Sequence, residues 1–288
     1  MTLKDYRVEG KKKIRLSDYP TGAGKAKEKK ESYIAKTGEN LKIMGDLQDK
    51  LYSQGKEGLI IIFQAMDAAG KDSTIKHVMT GMNPQGVVVH SFKAPSNREL
   101  SHDYLWRTVL ALPARGYMAI FNRSYYGDVL VVKVRKLYKD YNMAKRCLQD
   151  DIIEQRYRQI CNFEKYLYQN SYRVIKLFLH VSKEKQKERF LERIDLKIKN
   201  WKFSASDVKE RKLWDQYQKA YTDAINATAT ENCPWYVIPA DNKWYTRYLV
   251  SEVILDVMKD MDPQYPVMAK QDRDRLATER EFLMNEED

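Results

Sequence analysis

The residues best suited to chemistry form one run, Ala65-Met66-Asp67-Ala68-Ala69-Gly70-Lys71-Asp72-Ser73. Its small residues let main-chain N–H groups close on phosphate oxygens, which makes Ala68, Ala69, Gly70, Asp72 and Ser73 candidate phosphate or nucleotide ligands. The Lys71 ammonium is a compact charge that can follow a moving phosphoryl group. Asp67 lies inside the same loop. A carboxylate repels bound phosphate unless a cation lies between them, so Asp67 points to Mg²⁺, with Mn²⁺ as its substitute. The spacing departs from the usual phosphate-binding pattern of Gly, four residues, Gly-Lys and Ser or Thr. Ala65 stands for the first Gly, and Asp72 takes the hydroxyl position, with Ser73 and Thr74 after it. The plain alternative is a strand-to-helix turn in an unrelated α/β protein.

The flanking sequence supplies what such a loop needs. Leu59 to Phe63 is a continuous apolar run, the pattern of a strand buried on both faces. After Lys71 the pattern is helical to about Met79, so a helix N-terminus adds partial positive charge and free donors at the loop. Further apolar strands are predicted at Val87–Phe92, Met118–Phe121, Arg173–Ser182 and Trp235–Ile238. Helices are predicted at Thr37–Gln54, Arg98–Leu112, Gly127–Tyr138, Met143–Gln169, Lys183–Ile194, Asp207–Asn226 and Lys243–Met261. Five strands separated by helices argue a parallel sheet with helices on both faces, a three-layer α/β fold. Ligands of such sheets sit at the carboxyl ends of the strands. That rule gathers Gln64 to Lys71, Lys93, Asn122 to Tyr126 and Ser182 around one mouth.

Other residues gain meaning from this placement. Asn122 offers a neutral carbonyl oxygen where a metal-linked Asp is usual, and joins Asp67 as a metal candidate. Asn122 and Tyr126 are also candidates for nucleotide or phosphate contact. Arg123 can hold a phosphate bidentately; the alternative is an ion pair at a strand end. Residues 183 to about 212 read as a lid, with Arg189 and Arg193 on one helix face, against the alternative of a solvated helix paired through Glu188 and Glu192. Lys76, Lys93, Arg98 and Arg107 flank the mouth and could track a long anion, although each alone reads as surface. His77, His90, His102 and His180 lack metal spacing and read as structural.

The chain has 288 residues, room for a sizeable core. Its 51 Lys+Arg against 40 Asp+Glu give a formal charge of +11, which favours anionic partners. Cys147, Cys161 and Cys233 show no paired spacing and read as thiols of a reducing compartment. With neither a signal-peptide core nor a membrane-length apolar run, a soluble cytoplasmic protein is expected. The expected organisation is a basic arm and helix over 1–57, a core over 58–262 and a charged tail over 263–288.

Several separated blocks carry a resemblance. Ala-Met-Asp-Ala-Ala-Gly-Lys-Asp (65–72), Asn-Pro-Gln-Gly (83–86), Ser-Phe-Lys-Ala-Pro-Ser (91–96), Phe-Asn-Arg-Ser-Tyr-Tyr (121–126), Trp-Lys-Phe-Ser (201–204) and Ile-Pro-Ala-Asp-Asn-Lys-Trp (238–244) resemble the family-2 polyphosphate kinases. The wording is most similar to the class III subgroup. The resemblance implies a P-loop kinase fold with a helical lid and a homodimer or homotetramer. It implies reversible, Mg²⁺-dependent phosphoryl transfer between inorganic polyphosphate and AMP or ADP, and also GMP or GDP, with neither nucleic acid nor membrane as partner. By position, Asp67 would bind metal and acceptor phosphate, Lys71 would hold phosphate and Arg123 would stabilise transferred charge. Arg189 and Arg193 would be the lid arginines, and Lys93 with neighbouring bases such as Lys76 and Arg98 would guide polyphosphate. Two departures stand out: Asn122 replaces an Asp of other subgroups, and Gly127 stands where many relatives in this subgroup have Glu. A P-loop kinase using ATP as donor shares the loop and lid. A non-enzymatic polyanion or nucleic-acid binder would share only the charge.

Overall fold

A computed structural model describes residues 2–286. The N-terminal arm contributes a two-residue strand, β1 (Arg7–Val8), before the long helix α1 (Lys30–Gln54). Gly55 ends α1 in a left-handed conformation (φ 63°), its N–H donating to the Leu51 carbonyl at 3.1 Å. Next come β2 (Gly58–Ala65), α2 (Lys71–Val78), β3 (Val87–Ser91), the short helices α3 (Asn97–Leu100) and α4 (Trp106–Val109), β4 (Met118–Asn122) and α5 (Val131–Arg135). The second half holds α6 (Ile152–Gln169), β5 (Tyr172–His180), α7 (Lys183–Asp195), α8 (Ala205–Arg211), α9 (Trp214–Thr228), β6 (Trp235–Pro239), α10 (Lys243–Met261) and α11 (Lys270–Met284).

The sheet order is β1-β6-β5-β2-β4-β3, and every pairing is parallel except that of β1 with β6. Strand β2 is central, and all eight of its residues are buried. Each large apolar side chain in it contributes roughly 1.5–3 kcal/mol relative to exposure. Helices α1, α2 and α10 pack together on one face, and α6 and α9 on the other. Register aligns the strand ends that matter: Phe63 of β2 lies beside Asn122 of β4, and Ala65 beside Leu179 of β5.

The arm is more firmly built in than an extended segment touching the core. Arg7 and Val8 pair with Tyr236 and Trp235. The side chain of Asn226 bonds both the N–H and the carbonyl of Ile14 at 2.8 and 3.0 Å, and the Asp241 N–H donates to the Thr21 carbonyl at 2.8 Å.

Three expected helices are shorter than their patterns. The 98–112 pattern is broken into α3 and α4, because the Asp103 carboxylate accepts from the Leu105 N–H at 2.9 Å and restarts the chain there. The 127–138 pattern becomes a 3₁₀ turn (Tyr125–Val129) and then α5, which Lys136 stops with φ 54°. Helix α6 begins at Ile152 rather than Met143. Among the described residues, no helix is long and apolar enough to cross a membrane.

Candidate active site

The loop between β2 and α2 turns on two left-handed residues, Ala68 (φ 59°) and Gly70 (φ 103°). A left-handed non-glycine residue is sparsely populated, so the surrounding contacts must over-determine it. Lys71 is the first residue of α2 and curls back across the loop, with Nζ 3.3 Å from the Ala65 carbonyl. Only 9% of Lys71 is exposed. Burial pulls its ammonium down to about 8, against the opposing pull of Asp67 and Asp72. Its side chain lines a cavity of about 580 Å³ at the carboxyl edge of the sheet, and Asp67, Ala68, Gly70, Asp72 and Ser73 line it too. Ala69 does not: it is buried, and its N–H donates to the Met66 carbonyl. That amide serves the loop rather than a ligand.

Across the cavity, the end of β4 presents Asn122 and Arg123. Arg123 is left-handed (φ 65°), and its N–H donates to the Phe63 carbonyl at 3.0 Å. This turn aims the guanidinium at Asp67, with Nη2 3.4 Å from Oδ1. Asn122 Nδ2 donates to Asp72 Oδ1 at 2.7 Å, which leaves the amide oxygen of Asn122 as an acceptor. Asp72, the residue in the hydroxyl position, therefore orients the residue in the metal-linked position. Among the described residues there is no cluster of three or more His, Cys, Asp or Glu that could cage a metal. Two carboxylates and an amide oxygen suit Mg²⁺, which takes one or two carboxylates and completes its shell with water and substrate phosphates.

The lid begins at Ser182, whose hydroxyl caps α7 by accepting from the Lys185 N–H at 3.1 Å. Ser182 thus serves the lid's start rather than the cavity. Arg189 and Arg193 both line the cavity, and their partners separate them. Arg189 donates to four carbonyls: Ala68 (2.9 Å), Ala69 (2.7 Å), Ala240 (2.7 Å) and Asp241 (3.2 Å). It binds the phosphate loop to the lid and to the segment after β6. Arg193 instead pairs with Asp207 of α8 at 3.0 Å. Burial, reinforced by the Asp67 charge, pushes the Asp207 carboxyl up.

Other predicted residues fall elsewhere. Tyr126 is fully buried, with its hydroxyl 2.8 Å from Glu164 Oε1 and 3.0 Å from Thr228 Oγ1, so it cannot contact a nucleotide. The residue follows the end of β4 by four positions, but its side chain turns into the core. Lys93 lines the cavity. Lys76 lies on the exposed face of α2, and Arg98 lies over the Trp106 ring at 5.6 Å; neither lines the cavity. Arg107 donates to the Lys93 carbonyl at 2.8 Å. Sequence reasoning missed Gln186, which donates to the Asp67 carbonyl at 2.9 Å, and the cavity-lining Asp207, Lys199 and Lys243. Lys243 lies within the Ile-Pro-Ala-Asp-Asn-Lys-Trp block, which was the available signal.

A Gly-Lys loop at the carboxyl edge of a parallel sheet, facing an arginine-bearing lid, defines a P-loop kinase. Residues 27–266 match the family described as Polyphosphate kinase 2 (PPK2), and the chain belongs to that family. It is 43% identical over 283 residues to the ADP-polyphosphate phosphotransferase of Rhodopseudomonas palustris, covering 98% of each chain. It is 44% identical over 220 residues to the AMP/ADP-polyphosphate phosphotransferase of Meiothermus ruber, covering 76% of this chain and 79% of the relative. The crystal structure of Polyphosphate Kinase 2 from Arthrobacter aurescens TC1 superposes with a TM-score of 0.83 at 34% identity, covering 96% of both chains.

Proposed function

We propose that this chain is a polyphosphate-dependent nucleotide kinase that transfers phosphoryl groups reversibly between inorganic polyphosphate and AMP or ADP, and also GMP or GDP. The convergence of Asp67, Lys71 and Arg123 on one cavity carries the reading. The names of the similar proteins supply the donor and the adenine nucleotides.

Phosphoryl transfer spreads negative charge over three equatorial oxygens, so fixed donors and cations do most of the catalytic work. The free amides of the loop and the Lys71 ammonium hold the transferring group. Arg123 stabilises its developing charge, and its pairing with Asp67 keeps it aimed there before substrate arrives. Asp67 orients the acceptor phosphate. Mg²⁺ would be held by Asp67 and the Asn122 amide oxygen, and when bound it supplies charge neutralisation between carboxylate and phosphates. Arg193 is the lid arginine that faces phosphate, because Arg189 is occupied by carbonyls. Lys93, Lys199, Lys202 and Lys243 give the cavity a basic lining for the chain of the donor. The enzyme works in the cytoplasm as a homodimer or homotetramer, and its three cysteines are free thiols.

Purified protein supplied with ADP, polyphosphate and Mg²⁺, without ATP, tests the donor. Formation of ATP is expected. Absence of ATP, with ATP-dependent phosphorylation of a nucleoside instead, would overturn the reading in favour of an ATP-using kinase. Polyphosphate binding that survives Lys71→Ala without any turnover in the parent would favour a simple polyanion binder.

A further inference from the structure

A buried ionic network lies behind the reaction cavity and contributes no atom to it. Glu164 of α6 and Lys176 of β5 form an ion pair at 2.5 Å, with side chains 2% and 0% exposed. Glu164 Oε1 accepts from both Tyr125 and Tyr126 hydroxyls at 2.8 Å. Lys176 also donates to the Thr228 carbonyl at 2.8 Å. The Thr228 hydroxyl in turn lies 3.0 Å from the Tyr126 hydroxyl and accepts from the Trp235 indole N–H at 2.9 Å.

Such a pair is a poor device for stability. The desolvation of two charges offsets their attraction, and apolar replacements of similar volume are often neutral or better. What a fully satisfied network supplies is a unique local geometry. Here the geometry it fixes belongs to the segment carrying Arg123. Tyr125 and Tyr126 follow Arg123 by two and three residues. Between them, Ser124 Oγ accepts from Gln64 Nε2 at 3.1 Å and from the Tyr126 N–H at 3.2 Å. The backbone is therefore pinned to β2 on one side and to the ion pair on the other, with a left-handed Arg123 at the bend. Free of those two anchors, a non-glycine residue relaxes toward ordinary negative φ, and its side chain swings away from Asp67.

We infer that Glu164, backed by Lys176, is a positioning residue: it acts through Tyr125 and Tyr126 to hold Arg123 in its left-handed, cavity-facing conformation. The inference rests on the transition-state role proposed for Arg123. A misplacement of about 1 Å at a charge-stabilising group costs up to roughly 100-fold in rate.

A double-mutant cycle tests it, with ATP formation from ADP and polyphosphate as the assay and thermal unfolding as the control. Glu164→Gln should lower kcat by more than about tenfold while KM for polyphosphate stays within about twofold. Glu164→Gln with Lys176→Met should recover most of kcat, since an amide oxygen still accepts from both hydroxyls and no ammonium is left unpaired. Placed in an Arg123→Ala background, Glu164→Gln should lower kcat by less than about twofold, because its target is gone. Tyr125→Phe with Tyr126→Phe, which removes only two hydroxyls, gives the same cycle if Glu164→Gln does not fold. Equal losses with and without Arg123 would overturn the inference and leave the proposed function standing. A normal kcat in Arg123→Ala alone would instead overturn the role of Arg123 and this inference with it.

Discussion

Lys71 shows how far one residue's environment sets its behaviour. Its ammonium, ordinarily near 10.5, is held down to about 8 by burial. In the role proposed for Lys71 it is the protonated form that grips phosphate, and that form is lost as pH rises through that value. Thus kcat/KM, which reports the free enzyme, should fall above about pH 8. Lys71→Arg, permanently charged, should remove that alkaline limb even if its absolute rate is lower; an unchanged limb would assign it to another group. The linkage has the opposite sign for stability. The native state binds the Lys71 proton more weakly than the unfolded chain does, so the cost of burying the charge is full below the folded value near 8 and fades as pH rises toward 10.5. Lys71→Met should therefore abolish turnover yet raise the stability of the free protein at pH 7 by roughly 1–3 kcal/mol, read from denaturant unfolding. A destabilised Lys71→Met would mean that the ammonium's contacts with the loop outweigh its desolvation.

At the scale of elements, the long periodic segments were legible and the short ones were not. Strand β2, α1, α10 and the strand–loop–helix unit all announced themselves, because each is apolar or amphipathic over many residues. Strand β1 is only two residues long and lies in a lysine-rich arm, so no periodicity could show it; the buried Tyr6, Val8 and Leu16 were its trace. The 98–112 pattern looked continuous because an Asx-type restart at Asp103 leaves hydrophobic spacing almost untouched. Site residues followed the same rule. Strand ends pointed to Asp67, Lys71, Lys93, Asn122 and Arg123, which line the cavity, and equally to Gln64, Ser182 and Tyr126, which do not, because side-chain direction needs coordinates. Arg123 faces the cavity, whereas Tyr126 faces the core. The lid arginines illustrate this best, because spacing placed both on one helix face and only their partners separate them. Arg189→Lys cannot supply a planar fork to four carbonyls. It should loosen the loop at Ala68 and Ala69, raise amide exchange there and in the 240–241 segment, and lower kcat by about 10–100-fold. Arg193→Lys should leave exchange in both segments unchanged, and equal exchange in the two variants would contradict the division of labour.

The whole molecule joins a kinase core that the family match covers to peripheral segments that it does not include. The match spans residues 27–266, so β1 and the Thr21 half of the Thr21–Asp241 contact lie outside it. The net charge of +11 favours an anionic partner, and Lys93, Lys199, Lys202 and Lys243 line the cavity where the proposed donor would lie. A polyanion displaces counterions as it binds, so KM for polyphosphate should rise steeply and log-linearly with salt, while KM for ADP, with fewer charges, rises less. Equal salt slopes for both substrates would argue that the polymer is held by its end alone.

The most direct test follows both substrates at once. Phosphorus NMR of the purified protein with ADP, polyphosphate and Mg²⁺ should show phosphate units leaving polyphosphate one for one with the γ-phosphate of ATP. The exchange should stop in Lys71→Ala and in Asp67→Ala while the fold persists. Loss of polyphosphate as free phosphate without ATP, or undiminished transfer in either variant, would contradict the account.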